Sequence, residues 1–362
     1  MVDKSGILFI TKDYPPHTGG MARYCHDLVQ NIAPFFRIRL IAHKGSKKQI
    51  PIFAVTAFFR ALGAVWGCRL VHFGDGMLAP VALALKWISR RPVSITIHGL
   101  DMTREHWLYR RLIPPAVRRL DHVVCVSSYT RDVCIARGID PSRIDVIPNG
   151  IDFEAFYDQA LDEATWRERY AVASGERVLF TIGNFTKRKG VEWFVREVLS
   201  AVARTDYRYF IIGSGKERHL VEDAIRQSPA RDRIVLLGPL DFPDRDAFYK
   251  YGDLYVMPNI PVPGDAEGFG IVAIEAGAWG LPVLTSAIEG IADAVVPDET
   301  ALVYDGAGAC RARLEDFLDG RLHVRDPRKI PAIVRDRYDW REIAERYRAL
   351  FGDLIAGTSA RH

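Results

Sequence analysis

The chain has 362 residues, more than one hydrophobic core comfortably organises, and suits two domains. Its 48% hydrophobic and 26% charged content reads as a soluble globular protein. A net charge of +4 falls short of a dedicated nucleic-acid binder and fits an enzyme that handles anionic substrates or works beside anionic lipid.

In chain order, residues 6–10 (GILFI) form a buried-strand candidate, followed by a Pro/Gly loop over 14–20 and a helix from about Ala22. The run at 7–10 is far shorter than the core of a signal peptide. Residues 38–42, 70–73, 93–97, 122–126 and 144–147 read as further strands. They show little polar alternation and are separated by helical patterns, which implies a parallel sheet covered on both faces. A polar stretch over 152–176, with Asp158, Asp162, Glu163 and Gly175, reads as a linker with its own helix. Strands resume at 177–182, 209–212, 233–237, 254–257 and 282–284. The last segment, 340–355, places Trp340, Ile343, Ala344, Tyr347, Leu350 and Phe351 on one helical stripe. The pattern is two doubly wound α/β domains in tandem, with ligands expected at the carboxyl ends of the strands.

Cys25, Cys68, Cys125, Cys134 and Cys310 are odd in number and include no CxxC pair. That disfavours a disulfide framework or zinc site and leads us to expect a reducing cytoplasm. Residues 50–67 (IPIFAVTAFFRALGAVWG) are apolar apart from a thin stripe of Thr56, Arg60, Gly63 and Gly67, and follow Lys44, Lys47 and Lys48. Arg60 and Pro51 argue against a spanning helix. A buried helix of the first domain and an interfacial helix touching anionic membrane both remain open.

The chemistry concentrates in 265–283. Gly268 and Gly270 flank Phe269 and open a helix that carries Glu275. A Gly-rich turn at a helix start offers backbone N–H groups to phosphate. Carboxylates beside a diphosphate would repel it, so Glu267 and Glu275 suit sugar hydroxyls. Taken alone, the pair is also compatible with a surface acid, a helix acid and a turn.

The ordered set of motifs resembles retaining glycosyltransferases of family 4. The set comprises 14–28 (YPPHTGGMARYCHDL), 96–101 (TIHGLD), 126–131 (VSSYTR), 147–152 (IPNGID), 183–190 (GNFTKRKG) and 267–282 (EGFGIVAIEAGAWGLP). The resemblance implies the GT-B fold: two Rossmann-like parallel-sheet domains facing each other across a cleft. It implies an acceptor-side domain over 1–160, a nucleotide-sugar domain over 161–339 and a C-terminal helix, 340–362, returning to the first domain. It implies that Glu275 holds the donor ribose and Glu267 touches sugar hydroxyls. The backbone of Gly268, Phe269, Gly270 and Ile271 would meet sugar and phosphates. Lys189 would neutralise the leaving diphosphate, Gly19 and Gly20 would let their loop approach the donor, and His98 would lie under the transferred sugar. Asp101 could bind a hydroxyl or cap its helix, and the cap is favoured. Gly213-Ser214-Gly215 reads equally as a phosphate loop or a plain turn, and Asn149-Gly150 as an interdomain turn.

One departure stands out. The family carries Arg after the glycine at 183, where this chain has Asn184; Arg188, beside Lys189, is the expected replacement. The implied reaction moves a hexose from a nucleotide diphosphate sugar to a glycan or lipid-linked acceptor, in the cytoplasm or at the inner membrane face. No cofactor, metal or nucleic acid is expected: Asp244 and Asp246 are read as part of a polar loop. A nicotinamide oxidoreductase would need G-x-G-x-x-G after the first strand, which is absent. Glu275, in the second turn of a helix after a phosphate-type loop, does not suit a glycoside hydrolase. A non-catalytic nucleotide-sugar-binding protein of the same fold is the alternative.

Overall fold

A computed structural model describes residues 6–17, 19–153, 160–321 and 324–359. Thr18 of the Gly-Gly loop and residues 154–159 of the expected linker, Asp158 among them, lie outside these. The chain packs as two units. The first comprises the chain up to Asp152, Gly264–Phe269 and the chain from Tyr338 on; the second comprises Phe153–Pro263 and Gly270–Arg337. This division differs from the expected one, which broke at 160 and kept the second domain continuous to 339.

The first unit holds β1 (Gly6–Thr11), α1 (Gly20–Ile32), β2 (Arg37–Ala42), α2 (Ile50–Ala64), β3 (Leu70–Phe73), α3 (Ala79–Ser89) and β4 (Val93–Ile97). It continues with α4 (Leu100–Thr103), α5 (Trp107–Val117), β5 (His122–Cys125), α6 (Ser128–Ala136) and β6 (Ile144–Val146). Its sheet is parallel throughout, in the order β2-β1-β3-β4-β5-β6. Central β1 is buried along its whole length because both faces are covered, whereas edge strand β2 exposes Arg37 and Arg39. Right-handed crossovers put α1 on one face and the helices after β2 on the other.

Two apolar clusters follow this division: one under α2, α3 and α5, the other between the sheet and α1. The second cluster includes Trp340, Ile343, Tyr347 and Phe351 of the last helix. In it the Tyr24 and Tyr347 hydroxyls hydrogen-bond each other. The C-terminal stripe is therefore buried on the first unit, as expected. Gly150 is pressed against it, since a Cβ there would lie 2.8 Å from the Trp340 ring.

The second unit holds α7 (Glu163–Arg169), β7 (Arg177–Asn184), α8 (Val191–Trp193), β8 (Tyr207–Ser214), α9 (Arg218–Gln227), β9 (Ile234–Leu236) and α10 (Phe242–Tyr251). It ends with β10 (Leu254–Met257), α11 (Ile271–Ala278), β11 (Val283–Thr285), β12 (Ala301–Val303), α12 (Gly306–Leu318) and α13 (Ile330–Tyr338), whose final residue, Tyr338, packs with the first unit, and α14 (Trp340–Ser359) then returns there. The second sheet runs β12-β11-β10-β7-β8-β9, again parallel. Asp244 and Asp246 lie in α10 rather than a loop; Asp244 accepts from Arg169 and Tyr170, and Asp246 from Arg245. Gly213 and Gly215 allow close backbone packing: a Cβ would sit 2.0 Å from the Gly183 oxygen or 2.4 Å from the Phe185 oxygen.

His72, in β3, is fully buried and bonds Ser94 Oγ at 2.8 Å and Thr96 Oγ1 at 3.2 Å. Burial, helped by His98 and His122, lowers its pKa to about 3. The unfolded chain protonates near 6.5, so it binds more protons than the native state at any pH between these values, and stability falls as pH drops through that window. At pH 5 the loss attributable to His72 is about 2 kcal/mol. Urea unfolding of wild type and His72→Gln at pH 7 and pH 5 should show the variant losing less on acidification, whatever its own cost at pH 7.

Candidate active site

Both sheets reverse their winding direction once, and ligands of open α/β sheets gather at that switch point. In the first sheet it lies between β1 and β3, in the second between β7 and β10. His98 follows β4, the neighbour of β3 in the first sheet, while Asn184 ends β7 and Glu275 lies on the helix after β10, the two strands that flank the second point.

In the first unit, β1 leads to Lys12, which is almost completely buried. Its backbone N–H donates to Asp75 Oδ2 at 3.1 Å, and its ammonium lies 3.8 Å from Asp75 Oδ1 and against Asp13. Burial opposes the Lys12 charge, but Asp75, Asp101 and Asp13 outweigh it and hold its pKa above the ordinary value. Burial pushes the Asp75 carboxyl up to about 6, against the pull of Lys12. Neither residue was singled out from the sequence, although a lysine directly after a buried strand was a usable signal.

Gly19 caps α1 with φ of 122°, a conformation that favours glycine, and Gly20 opens the helix, exposed. A Cβ at Gly19 would meet no protein atom within 4 Å, so backbone conformation is what selects glycine there. His98 follows β4. Its Nε2 lies 3.0 Å from the Gly74 carbonyl, which only accepts, so the neutral ring carries its hydrogen there and leaves Nδ1 a lone pair. Burial lowers the His98 pKa while Asp101 opposes. The Asp101 carboxylate accepts the His98 backbone N–H at 3.0 Å, so it stabilises the turn that presents the imidazole.

Gly264–Phe269 packs within this first unit. Gly268 and the histidine loop are in backbone contact: a Cβ on Gly268 would lie 2.0 Å from the His98 oxygen, and one on Gly99 would lie 2.8 Å from Gly268 Cα. Thr130 Oγ1 lies 3.5 Å from the Gly268 carbonyl. Half-buried Glu267 is thus the immediate neighbour of a residue packed on His98, and buried Phe269 meets the Tyr338 ring edge to face at 5.8 Å.

At Gly270 the chain passes to the second unit. Gly270, φ 86°, precedes α11, whose first residue is Ile271. One recess at the β7/β10 switch point is lined by Gly183, Asn184, Lys189, Asn259 and Val272. It joins Lys189 and Asn184 to the first turn of α11, with its free N–H groups and positive dipole end. The turn Lys187–Lys189 is fixed by backbone: Ile260 N donates to the Arg188 carbonyl at 3.0 Å, and a Cβ at Gly190 would lie 1.9 Å from the Pro258 oxygen. The structure leaves Arg188 half-buried beside Lys189 but outside this recess. Glu275 is buried on α11 and accepts from the Tyr249 hydroxyl at 3.3 Å. Burial and then Glu275 raise the Tyr249 pKa well above its ordinary value. Arg245 also interacts with Glu275. Tyr249 and Arg245 escaped the sequence reading because their partner lies 26 or more residues away, beyond any local pattern.

Two doubly wound parallel sheets, the second gathering a cation, a glycine-capped helix end and a buried carboxylate at its switch point, form the architecture of GT-B glycosyltransferases. Residues 176–319 match the model for glycosyl transferases group 1, and residues 43–155 that for glycosyltransferase family 4. The chain is 31% identical over 301 residues to a phosphatidyl-myo-inositol mannosyltransferase of Propionibacterium freudenreichii, covering 80% of this chain and 70% of that one. Its fold matches sucrose-phosphate synthase of Thermosynechococcus elongatus with a TM-score of 0.81 at 20% identity, covering 98% and 100% of the two chains. It also matches HepE of Anabaena in complex with UDP-glucose, with a TM-score of 0.73 at 17% identity, covering 99% and 100%. The chain belongs to glycosyltransferase family 4 and is a glycosyltransferase.

Proposed function

We propose that the protein transfers a hexosyl group from a nucleotide diphosphate sugar to a glycan or lipid-linked acceptor, with retention of anomeric configuration and without a metal. One observation carries this reading: Lys189, Asn184 and the first turn of α11 share a recess at the β7/β10 switch point. A diphosphate bound there meets a cation and a helix end, which stabilise the charge that develops as it leaves. Glu275, buried one turn along the same helix, faces the ribose hydroxyls, and Glu267 those of the sugar. Among the described residues none is assigned as an enzymic nucleophile, and the reading is attack on the face that the leaving group vacates, with the departing phosphate accepting the acceptor's proton. The complex of HepE with UDP-glucose and the lipid named in the mannosyltransferase relative support a nucleotide-sugar donor and a lipid-linked acceptor. The five cysteines are free and buried, which supports a reducing, cytoplasmic setting.

Thermal-shift screening against nucleoside diphosphates and their sugars should identify the donor through a raised Tm. Transfer from that donor in the presence of chelator, followed by NMR of the product's anomeric coupling, then tests the chemistry. An inverted product refutes retention, and activity that returns only with added divalent ion refutes metal independence. Arg188→Ala should weaken donor binding roughly tenfold or more, the scale of one lost charge-assisted hydrogen bond. Unchanged titration and turnover would show that Arg188 does not replace the family arginine absent at Asn184.

A further inference from the structure

Among the described residues eleven large hydrophobic side chains are exposed, and nine of them lie on α2, the turn after it, α3 and α5, which cover one face of the first sheet. Helix α2 buries Phe53, Ala57, Ala61 and Ala64 against that sheet. Its opposite side presents Ile52, Val55 and Phe59, and the turn after it presents Trp66, at one helical spacing. Phe59 is 65% exposed and Trp66 61%. The next helix in the layer, α3, adds Trp87 at 67% exposure, and α5 beyond it adds Trp107 at 68%. Helices α2 and α3 touch, as do α3 and α5, so these side chains stand on one continuous layer. Scattered single hydrophobic residues are ordinary on a protein surface, but a layer carrying most of them marks a binding face.

The charge says what the face binds. Residues 44–119, which contain these three helices, carry 13 of the 49 Lys and Arg but only 3 of the 45 Asp and Glu. That is a net charge of +10, while the remaining 36 basic and 42 acidic residues give the rest of the chain −6. Two of the three acids, Asp75 and Asp101, are buried at the site. Exposed Arg60, Arg110 and Arg111 stand among the apolar side chains. Aromatic and aliphatic tips interleaved with cations match an anionic bilayer surface, where rings settle at headgroup depth and guanidinium groups meet lipid phosphate. A recess at the start of α2 is lined by His43, Gly45, Gln49, Ile52 and Thr56, and His17 Nε2 lies 2.6 Å from the Gly45 carbonyl.

We propose that the outer surface of α2, α3 and α5 docks the enzyme on anionic membrane, with Ile52, Phe59, Trp66, Trp87 and Trp107 entering the headgroup region. Docking holds the acceptor side of the enzyme at the lipid surface. It does not depend on the donor reading, because it is measured without donor or acceptor.

Flotation of the full chain with vesicles of phosphatidylcholine alone, or of phosphatidylcholine with phosphatidylglycerol, tests this. The protein should float with the anionic vesicles and be released by salt. Arg110→Gln with Arg111→Gln should weaken binding roughly thirtyfold, at about fivefold per cation near an anionic surface. Ile52→Glu with Phe59→Glu should abolish it. Both variants alter exposed side chains, so unchanged circular dichroism and Tm are expected and serve as the folding check. Brominated lipid should quench the fluorescence contributed by Trp66, Trp87 and Trp107. No flotation with anionic vesicles, or equal flotation of the variants, overturns the proposal. So does sedimentation of the lipid-free chain as a dimer that Ile52→Glu with Phe59→Glu dissociates, which would place a second copy on the face.

Discussion

Lys189→Ala should lower kcat by about 10²- to 10³-fold while changing Tm little, the scale observed when a preorganised electrostatic group facing developing charge is removed. Gly190 adopts φ of 64° and can approach Pro258 only because it lacks a Cβ. Ile260 N holds the Arg188 carbonyl, so the turn Lys187–Lys189 is fixed before any ligand binds. Lys189 therefore enters the recess beside the first turn of α11 with little ordering left to do. Its charge matters most when the sugar–phosphate bond breaks and the diphosphate gains charge, so kcat should fall more than donor affinity. Steady-state kinetics with the identified donor, alongside donor titration, separates the two. A lysine that only supports the fold would instead lower Tm and leave kcat per folded molecule unchanged.

Much of this arrangement was legible in the sequence, and what was not has physical causes. Fully buried parallel strands such as Gly6–Thr11 announce themselves as unbroken apolar runs. Three-residue β12, Ala301–Val303, is too short to show any period, and it went unread. The helix Trp340–Ser359 showed its apolar stripe, and that stripe fixed its docking surface on α1. Residues 50–67 were ambiguous because composition reports apolarity without saying which side of a helix the fold covers. The structure divides them, burying Phe53 and Ala57 while leaving Ile52 and Phe59 exposed. The Glu267–Glu275 spacing was visible, and the separate assignment of hydroxyls and phosphates followed from charge repulsion alone. That the chain changes unit between Phe269 and Gly270 was not visible, since it depends on contacts with the distant histidine loop. Buried Lys12 and Asp75 were missed for the same reason: their partnership spans 63 residues.

Gly268→Ala should cut kcat/KM by at least about 10²-fold, the effect of misplacing a reacting group by roughly an ångström. A methyl group there would lie 2.0 Å from the His98 oxygen and 2.8 Å from its carbonyl carbon. Neither side can easily give way. The His98 backbone is pinned by its N–H to Asp101 and its ring by Nε2 to the Gly74 carbonyl. Gly99 next to it already holds φ of 91°, with its own missing Cβ turned toward Gly268. The added methyl group must move either the imidazole, which the family resemblance puts under the transferred sugar, or the segment that carries Glu267, which is proposed to meet that sugar's hydroxyls. Overpacking of this kind costs about 1–3 kcal/mol, and for a unit of this size each kcal/mol lowers Tm by about 2–4 °C. Gly190→Ala supplies the contrast. It strains the second unit by a comparable clash, 1.9 Å from the Pro258 oxygen, but leaves the histidine loop untouched. Gly190→Ala should therefore impair donor binding in titrations, whereas Gly268→Ala should retain nucleoside diphosphate affinity and lose turnover. If Gly268→Ala instead lost nucleotide affinity and kept kcat at saturating donor, the segment 264–269 would belong to nucleotide binding and its assignment to the sugar would be wrong.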